Sequence, residues 1–233
     1  MTNPSRVSPF DNLAAEYDAW FEEEGRDVFG IEVEAFRELM PFLPKPWLEV
    51  GVGSGRFAQA LGIDTGLDPS ARLLDLAKRR GVNTVVGRGE EAVFEPGSFA
   101  TVFLIVTICF VDSPLEVLKQ VERILKPDGR VVLGLVLKES PWGRYYQEKK
   151  RHGHRFYQHA TFYSYREVES LLGRAGFAVQ ECVSTLFQAP GEVRTAEGPR
   201  RGYHPDAGFT VIVAAKESAL QRGRSAEPAN RGA

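Results

Sequence analysis

The chain has 233 residues, of which 43% are hydrophobic and 26% charged, and these values are ordinary for one globular domain with a full core. A formal net charge of −2 gives no reason to expect nucleic acid or a membrane as an obligatory partner. No apolar run approaches the length of a membrane span, and residues 1–8 lack the apolar core of a signal peptide. Only Cys109 and Cys182 could form a disulfide, and both lie in apolar runs, so we expect a cytoplasmic protein without a disulfide framework.

Two helices are predicted ahead of the first strand. Apolar residues at helical spacing predict one helix over residues 10–21 and a second over residues 28–40, which a proline-rich stretch then ends. The aromatic residues of the first helix allow two interpretations. They either pack against a sheet or form a lid in which Tyr17 and Trp20 face a ligand.

A glycine-rich turn follows a short apolar strand over residues 47–50. Gly51, Gly53 and Gly55 stand at alternate positions and lead into a helix, which is where open α/β sheets bind nucleotide-like ligands. Glu49, at the carboxyl end of the strand, would repel a pyrophosphate but could hold an ammonium group. The pattern therefore favours an amino-acid-bearing nucleoside such as S-adenosylmethionine. A tight strand-to-helix turn without a ligand is the alternative.

Helices and strands alternate without interruption from residue 47 to residue 137. The predicted strands cover residues 65–68, 83–86, 101–106 and 130–137, and the predicted helices cover residues 57–61, 69–80 and 114–125. This βαβ pattern predicts a parallel, doubly wound sheet. The run over residues 101–106 has no polar alternation, which indicates a central strand covered on both faces.

Asp68 ends the second predicted strand. In nucleotide-binding α/β folds, an acid at such a position accepts hydrogen bonds from the ribose hydroxyls. The alternative role is to cap the helix that follows. Together with the glycines, its position favours ribose binding.

The region over residues 138–165 departs from this alternation. It is dense in aromatic residues and carries a basic run over residues 149–155, which could attract an anionic substrate or RNA but is more typical of a solvated loop. A helix over residues 166–175 and two strands, 177–187 and 208–215, follow, and we expect the two strands to pair antiparallel at the sheet edge.

Taken together, these features resemble the class I S-adenosylmethionine-dependent methyltransferases, and most closely the type 11-like group that acts on small molecules. The resemblance covers roughly residues 10–216. Its motifs are Glu49 followed by G-x-G-x-G, Asp68 as the ribose-binding acid, Gly97-Ser98-Phe99, the turn from Arg123 to Gly129, and Tyr17-Asp18-Ala19-Trp20 in the N-terminal helix. It implies a Rossmann-like α/β fold with a mainly parallel seven-stranded sheet, an antiparallel edge strand, helices on both faces, and S-adenosyl-L-methionine as cofactor.

Two positions depart from the family pattern. Arg88 stands where many members carry an aspartate before the residues that contact adenine, and Ala100 replaces an aspartate after the Ser-Phe pair. Without a carboxylate at Arg88, the backbone of Gly89 and the side chain of Glu90 are left to frame the base. The cofactor assignment does not depend on either change.

The resemblance and the residues together define an expected site. The expected cofactor-binding residues are Tyr17, Glu49, Gly51, Val52, Gly53, Gly55, Asp68, Pro69, Gly89, Glu90, Val106 and Thr107. The expected acceptor-binding residues are Trp20, Phe110, Trp142, Tyr145 and Tyr146, with Thr107, Ile108 and Phe110 as the floor beside the methyl group. Because methyl transfer is a direct displacement, no catalytic residue is firmly expected, and His159 and Tyr146 are the candidates for a general base.

The chain is expected to divide into an N-terminal helical lid (1–45), a cofactor-binding α/β core (46–137), an insertion covering the substrate site (138–165), a C-terminal helix and strand pair that complete the sheet (166–216) and a disordered tail (217–233). The expected partner is a small-molecule acceptor, bound by a monomer or a homodimer. His152, His154 and His159 have basic neighbours, so no metal is expected.

Two other functions stay open on the sequence. A nicotinamide-dependent oxidoreductase is disfavoured by the glycine spacing and by Glu49. A non-catalytic protein that keeps the cofactor fold as a sensor is not excluded, because no residue is compelled to act as a base.

Overall fold

The computed structural model describes residues 11–217 and residue 219. Phe10, the predicted start of the first helix, lies outside the described residues. So does the predicted disordered tail, apart from residues 217 and 219.

Within residues 11–217, eight strands form one sheet in the spatial order β3-β2-β1-β4-β5-β8-β6-β7. The strands are β1 Trp47–Val50, β2 Thr65–Asp68, β3 Asn83–Val86, β4 Phe99–Ile105, β5 Leu125–Leu135, β6 Phe177–Thr185, β7 Arg200–Arg201 and β8 Phe209–Lys216. The helices are α1 Ala14–Trp20, α2 Arg26–Arg37, α3 Arg56–Leu61, α4 Ala71–Arg79, α5 Pro114–Ile124, α6 Pro141–Arg151 and α7 Tyr165–Arg174.

The sheet is parallel from β3 through β5, and β8 pairs antiparallel with both β5 and β6. The Rossmann-like fold, with a mainly parallel sheet and an antiparallel edge strand, is therefore confirmed. Two details differ from the prediction. The last long strand lies inside the sheet, between β5 and β6, and the two-residue β7 adds an eighth strand at the edge by pairing with β6. Because β7 is so short and follows a Pro/Gly/Arg-rich loop, periodicity gives no signal for it.

Helix α6 was not predicted, because the region over residues 138–165 reads as an irregular insertion. The local start signals are nevertheless present. Pro141 occupies the first turn, and the hydroxyl of Ser140 accepts a hydrogen bond from the Gly143 amide at 2.8 Å, which caps the helix. The chain after β5 thus returns to helix before it reaches the aromatic loop at residues 154–163.

Two apolar cores cover the two faces of the sheet. Phe36 of α2, Phe57 of α3 and Phe209 of β8 pack in one core, while residues of α5 and α7 pack in the other. Every residue of β4 is buried, as its uninterrupted apolar sequence predicts for a central strand. In the described part of the chain, no helix combines the length and apolar character that crossing a bilayer requires.

Gly55 lets two helices approach closely behind the glycine turn. It has φ +79° and caps the start of α3, and a Cβ built there would lie 2.9 Å from both Cα and Cβ of Ala77 in α4. Gly62, at the other end of α3, has a similar φ of +69° but faces open space. A comparison of alanine substitutions at the two glycines therefore distinguishes the free-energy cost of the left-handed backbone from that of a steric clash.

We expect Gly55→Ala to destabilise the protein by at least about 1 kcal/mol more than Gly62→Ala, because only the first adds a clash with helix backbone to the strain of positive φ. Urea unfolding of both variants measures the difference. Equal destabilisation would show that Gly55 does not set the distance between α3 and α4.

Candidate cofactor and acceptor site

A cavity of about 700 Å³ opens at the carboxyl ends of β1, β2, β4 and β5. This volume lies within the usual range for small-molecule sites. One wall is made by the glycine turn, the end of β2 and the residues after β3. The other is made by α1, α2, α6 and the loop at residues 154–163. The cavity thus lies at the edge where open parallel sheets bind their ligands.

The floor of the cavity is formed where β1 and β4 end. A Cβ on Gly51 would lie 2.4 Å from Cγ2 of Thr107, so only glycine fits there. The single O–H of Thr107 is shared between the carbonyls of Val50 and Ile105, each 3.0 Å from its oxygen. Val106 adopts φ +51°, which is unfavourable for a β-branched residue and which turns the chain sharply after β4. Strain of this kind is concentrated at functional sites.

Asp68 joins the glycine turn to the start of α4. One carboxylate oxygen accepts a hydrogen bond from the Gly53 amide at 3.0 Å, and the other accepts one from the Ser70 amide at 2.8 Å. Burial raises the pKa of Asp68 to about 6, although these two amides oppose the rise. Ser70, whose hydroxyl accepts from Leu73, is the cap of α4, so the alternative capping role of Asp68 is not observed. Each carboxylate oxygen keeps a lone pair for a further donor from the cavity.

Glu49 is buried, and its Oε2 has no hydrogen-bond partner. Burial and then the charge of Asp68 raise its pKa well above the ordinary value, while the Ala58 amide opposes the rise. Glu49 does not itself line the cavity. The orphaned oxygen fits a cofactor with an ammonium group.

The expected adenine wall contains an ionic bridge built on Arg88. The Arg88 guanidinium donates to Glu90 at 3.2 Å and to Asp112 at 2.7 Å. Glu90 also accepts from the Asp112 and Ser113 amides at 3.0 and 3.3 Å. Arg88, which departs from the family pattern, therefore helps to hold Glu90 and Asp112 together at the cavity wall.

The opposite wall is aromatic. Tyr17 lies over the glycine turn, since a Cβ on Gly53 would stand 3.6 Å from its Cε1. Its ring contacts Phe156 edge-on with 6.0 Å between centroids, and Tyr146 stacks on Tyr157 at 4.4 Å. Of the predicted site, the structure brings together at the cavity Tyr17, Trp20, Gly51, Gly53, Asp68, Pro69, Gly89, Glu90, Val106, Thr107, Phe110, Tyr146 and His159.

Two predicted acceptor residues, Trp142 and Tyr145, are not among the residues that line the cavity. The Trp142 ring packs against Gly208, and its Nε1 donates to the Gln188 carbonyl at 2.8 Å. Tyr145 is 38% exposed and lies under the Lys149 ammonium. Of the three aromatic residues predicted from α6, only Tyr146 faces the cavity.

Three further predicted residues, Val52, Gly55 and Ile108, lie behind the cavity rather than in its wall. Val52 and Ile108 are buried in the two apolar cores, and Gly55 serves the packing of α3 on α4. Cys109 lines the cavity, but burial raises the pKa of its thiol to about 12, so it is no nucleophile. Among the described residues, no cluster of three or more His, Cys, Asp or Glu is arranged to hold a metal ion.

Glu32 of α2 is a cavity residue that the sequence reasoning missed. It is only 6% exposed, although it lies on the same helix as the exposed Glu34. Burial raises the pKa of its carboxyl to about 8, and no charged or hydrogen-bonding neighbour contributes to the shift. A signal was available, because Val28, Glu32 and Phe36 follow one another at four-residue spacing within the apolar face of the helix.

An ionic clamp holds α1 over the glycine turn. The Asp18 carboxylate accepts hydrogen bonds from Arg56 at 2.9 Å and from Arg80 at 2.8 Å, and Arg80 also donates to the Ser54 carbonyl. Although burial alone would raise it, these bonds lower the pKa of Asp18 to about 2. Glu22 adds an exposed ion pair to Arg56 at 2.7 Å.

This combination of a doubly wound sheet, a glycine turn and an acid after β2 defines a nucleoside-binding protein of the Rossmann-like class. A family model described as a methyltransferase domain matches residues 26–182. The chain belongs to this family and is an S-adenosylmethionine-dependent methyltransferase of class I fold.

Similar proteins are found in bacteria and archaea. A Thermotoga maritima structure, described as an S-adenosylmethionine-dependent methyltransferase and possible histamine N-methyltransferase, is 37% identical with a TM-score of 0.83, covering 89% of this chain and 98% of that one. An uncharacterized Mycobacterium tuberculosis protein is 38% identical over 88% of this chain and 73% of its own length. An uncharacterized Methanocaldococcus jannaschii protein is 34% identical over 90% of this chain and 100% of its own length.

We expect Asp18→Asn to weaken S-adenosylmethionine binding, because it leaves two partly buried arginines without their shared counter-charge and loosens α1. A loss of about 1–3 kcal/mol corresponds to roughly 5- to 150-fold in the dissociation constant. Calorimetric titration measures it, with Glu22→Gln as the matched control that changes only an exposed pair. Equal effects of the two substitutions would contradict a special role for Asp18.

Glu32 predicts a pH dependence of stability. Since its pKa rises from 4.5 to about 8 on folding, the folded protein holds a proton that the unfolded chain releases in this window. Its contribution to stability is fully present below pH 4.5 and is lost as the pH rises through about 8. The Glu32→Gln variant cannot lose this proton. The difference in unfolding free energy, variant minus wild type, should therefore increase by a few kcal/mol between pH 5 and pH 9. Chemical unfolding at the two pH values checks this, and a flat difference equal to that of Glu34→Gln would contradict it.

Proposed function

We propose that this methyltransferase moves the methyl group of S-adenosylmethionine, by direct displacement, to a small-molecule acceptor held against the aromatic wall of the cavity. The observation that supports this proposal is that one cavity of about 700 Å³ is bounded on one side by the glycine turn and Asp68 and on the other by aromatic side chains. Cofactor and acceptor would therefore meet inside a single enclosure.

The residues on the cofactor side have distinct tasks in this proposal. Asp68 would accept hydrogen bonds from the ribose hydroxyls, with its orientation already fixed by the Gly53 and Ser70 amides. Tyr17 would cover the cofactor from α1, and Thr107 would support its reactive end from the floor. When bound, the cofactor supplies an electrophilic methyl group on a sulfonium.

Besides binding the cofactor, the protein must position the acceptor and exclude water, and these two effects can account for most of the rate enhancement of a displacement reaction. We infer that residues 1–45 act as a lid and that residues 138–165 cover the acceptor. The supporting contacts are the Asp18 clamp, the Tyr17–Phe156 ring contact and the ion pair between Arg155 and Glu16, which joins α1 to the loop at residues 154–163. Residues 46–137 and 166–216 would supply the sheet that carries the site.

The Thermotoga maritima protein is described as a possible histamine N-methyltransferase. This likeness supports a small molecule rather than a macromolecule as the acceptor of this chain. We also infer a cytoplasmic location, because Cys109 and Cys182 are both free thiols, as is usual in a reducing compartment.

The cofactor assignment predicts selective binding. Titration of the wild type with S-adenosylmethionine, S-adenosylhomocysteine and NAD should show binding of the first two only. Asp68→Ala should weaken that binding by about 10- to 100-fold, because hydrogen bonds to a charged group are lost. Asp64→Ala, which removes an exposed carboxylate just before β2, is the matched control.

Other outcomes would redirect the proposal. Binding of NAD alone would favour an oxidoreductase. Binding of S-adenosylmethionine with no S-adenosylhomocysteine formed from any acceptor would favour a non-catalytic sensor.

A further inference from the structure

Resting on the proposed function, we propose that the acceptor is a cationic amine, and that the Glu32 carboxylate receives its ammonium group and takes up its proton before methyl transfer. Glu32 is thereby a substrate-binding residue and the base of the reaction. The inference depends on where Glu32 lies, on what surrounds it and on the charge of the cavity mouth.

Glu32 projects from the middle of α2 into the cavity and is 6% exposed. Burial raises the pKa of the phenols of Tyr17, Tyr146 and Tyr157, and the nearby Glu32 carboxylate adds to each rise. Glu32 and the three tyrosines of the aromatic wall thus line the same cavity. A ligand held by these rings would have Glu32 beside it.

A buried carboxylate without a positive partner destabilises a fold. Burial is the cause of the raised pKa of Glu32, and no neighbouring cation lowers it in the described structure. Its position therefore has no evident structural benefit. A cation that enters the cavity would supply the missing partner.

The rings around Glu32 suit the same ligand. Tyr17, Trp20, Tyr146, Phe156 and Tyr157 all line this half of the cavity. Aromatic faces attract ammonium groups through cation–π interactions. A carboxylate surrounded by aromatic faces is thus complementary to an amine.

The mouth of the cavity has the complementary charge. Glu16, Glu23 and Glu24 line it beside Lys149, and Glu16 is already paired with Arg155. The remaining acidic excess favours the approach of a cation over that of an anion.

The buried phenols and the thiol of this wall are poor bases at neutral pH, whereas His154, which also lines the cavity and whose pKa is lowered by burial and by Lys149, is the second candidate base. Burial keeps the pKa of the phenols of Tyr146 and Tyr157 well above the ordinary value, so both stay protonated. The same holds for the Cys109 thiol, with a pKa of about 12. His159 is exposed at the rim. By contrast, the Glu32 pKa of about 8 lies much nearer to that of an alkylammonium group, roughly 10, than an ordinary carboxyl does, so proton transfer to Glu32 is correspondingly less unfavourable.

Glu32 holds a proton in the empty cavity and releases it to solvent when the ammonium group binds, so that a carboxylate faces the ammonium. One N–H bond of the bound ammonium then breaks, and its proton moves to the Glu32 carboxylate. The freed lone pair on nitrogen forms an N–C bond to the methyl carbon while the S–C bond breaks, and that bonding pair remains on sulfur. The products are a methylated ammonium and S-adenosylhomocysteine, and Glu32 keeps the proton when they leave, as in the empty cavity.

The test uses the full-length enzyme with S-adenosylmethionine and a panel of four amines, which are histamine, tyramine, 2-phenylethylamine and spermidine. Where such a compound can be made, each amine is compared with the analogue that has a hydroxyl group in place of the amino group. Formation of S-adenosylhomocysteine is measured for the wild type, Glu32→Gln, Glu32→Asp and, as the matched control on the outer face of α2, Glu34→Gln. Cofactor affinity is measured for all four.

We expect turnover of at least one amine and of none of the alcohols. Glu32→Gln should lower kcat/KM for that amine at least 100-fold at pH 7, with cofactor affinity unchanged within twofold, while Glu32→Asp retains part of the activity and Glu34→Gln retains all of it. The residual activity of Glu32→Gln should rise about tenfold per pH unit as the pH approaches the pKa of the amine. The variant has no base at this position, so it can use only amine that is already unprotonated in solution.

Four outcomes would overturn the inference while leaving the proposed function intact. They are turnover of an alcohol, thiol or acid with no amine accepted; no turnover of any panel amine by an enzyme that binds the cofactor; full amine turnover by Glu32→Gln; and a loss of cofactor affinity in Glu32→Gln that matches its loss of activity. The last would place Glu32 in the cofactor site. Failure of the wild type to bind S-adenosylmethionine would instead overturn the proposed function.

Discussion

The sharing of one carboxylate, Asp18, between two arginines is the interaction on which the enclosure of the site depends. Arg56 opens α3 and Arg80 follows α4, so the pairing joins the N-terminal helix to both helices that support the glycine turn. All three side chains are about 14–15% exposed, so solvent screens these charges less than it would on an open surface. Tyr17, the neighbour of Asp18 in α1, is consequently held over the glycine turn, where it covers the cavity.

Much of the fold could be predicted because its signals are local. The predicted bounds of β1, β2 and β3 coincide with those observed, since glycine, proline and acidic residues mark their ends. The position of Asp68 at the cavity follows from parallel topology alone, because carboxyl ends of parallel strands meet at one edge. By contrast, β7 and the insertion of β8 between β5 and β6 depend on contacts between distant segments, which periodicity does not report.

The acceptor side was harder to predict because it depends on how helices are rotated against the sheet. The aromatic residues of the insertion over residues 138–165 suggested one wall with Trp142, Tyr145 and Tyr146, yet in the structure Trp142 packs on Gly208 in the core and Tyr145 is exposed. Glu32 was missed for the opposite reason. A glutamate in a helix with other glutamates suggests a solvated face, and only its place in the apolar stripe shows otherwise.

The insertion of β8 between β5 and β6 also bears on how the chain folds during synthesis. All cavity-lining residues precede residue 164, but the strand that joins the two parts of the sheet spans Phe209–Lys216 and is buried throughout. Until those residues leave the ribosome, β5 and β6 each expose a row of unpaired backbone groups, which are costly to bury and prone to pair with other chains. A nascent chain can thus contain the whole site long before it can complete the sheet that holds the site in place.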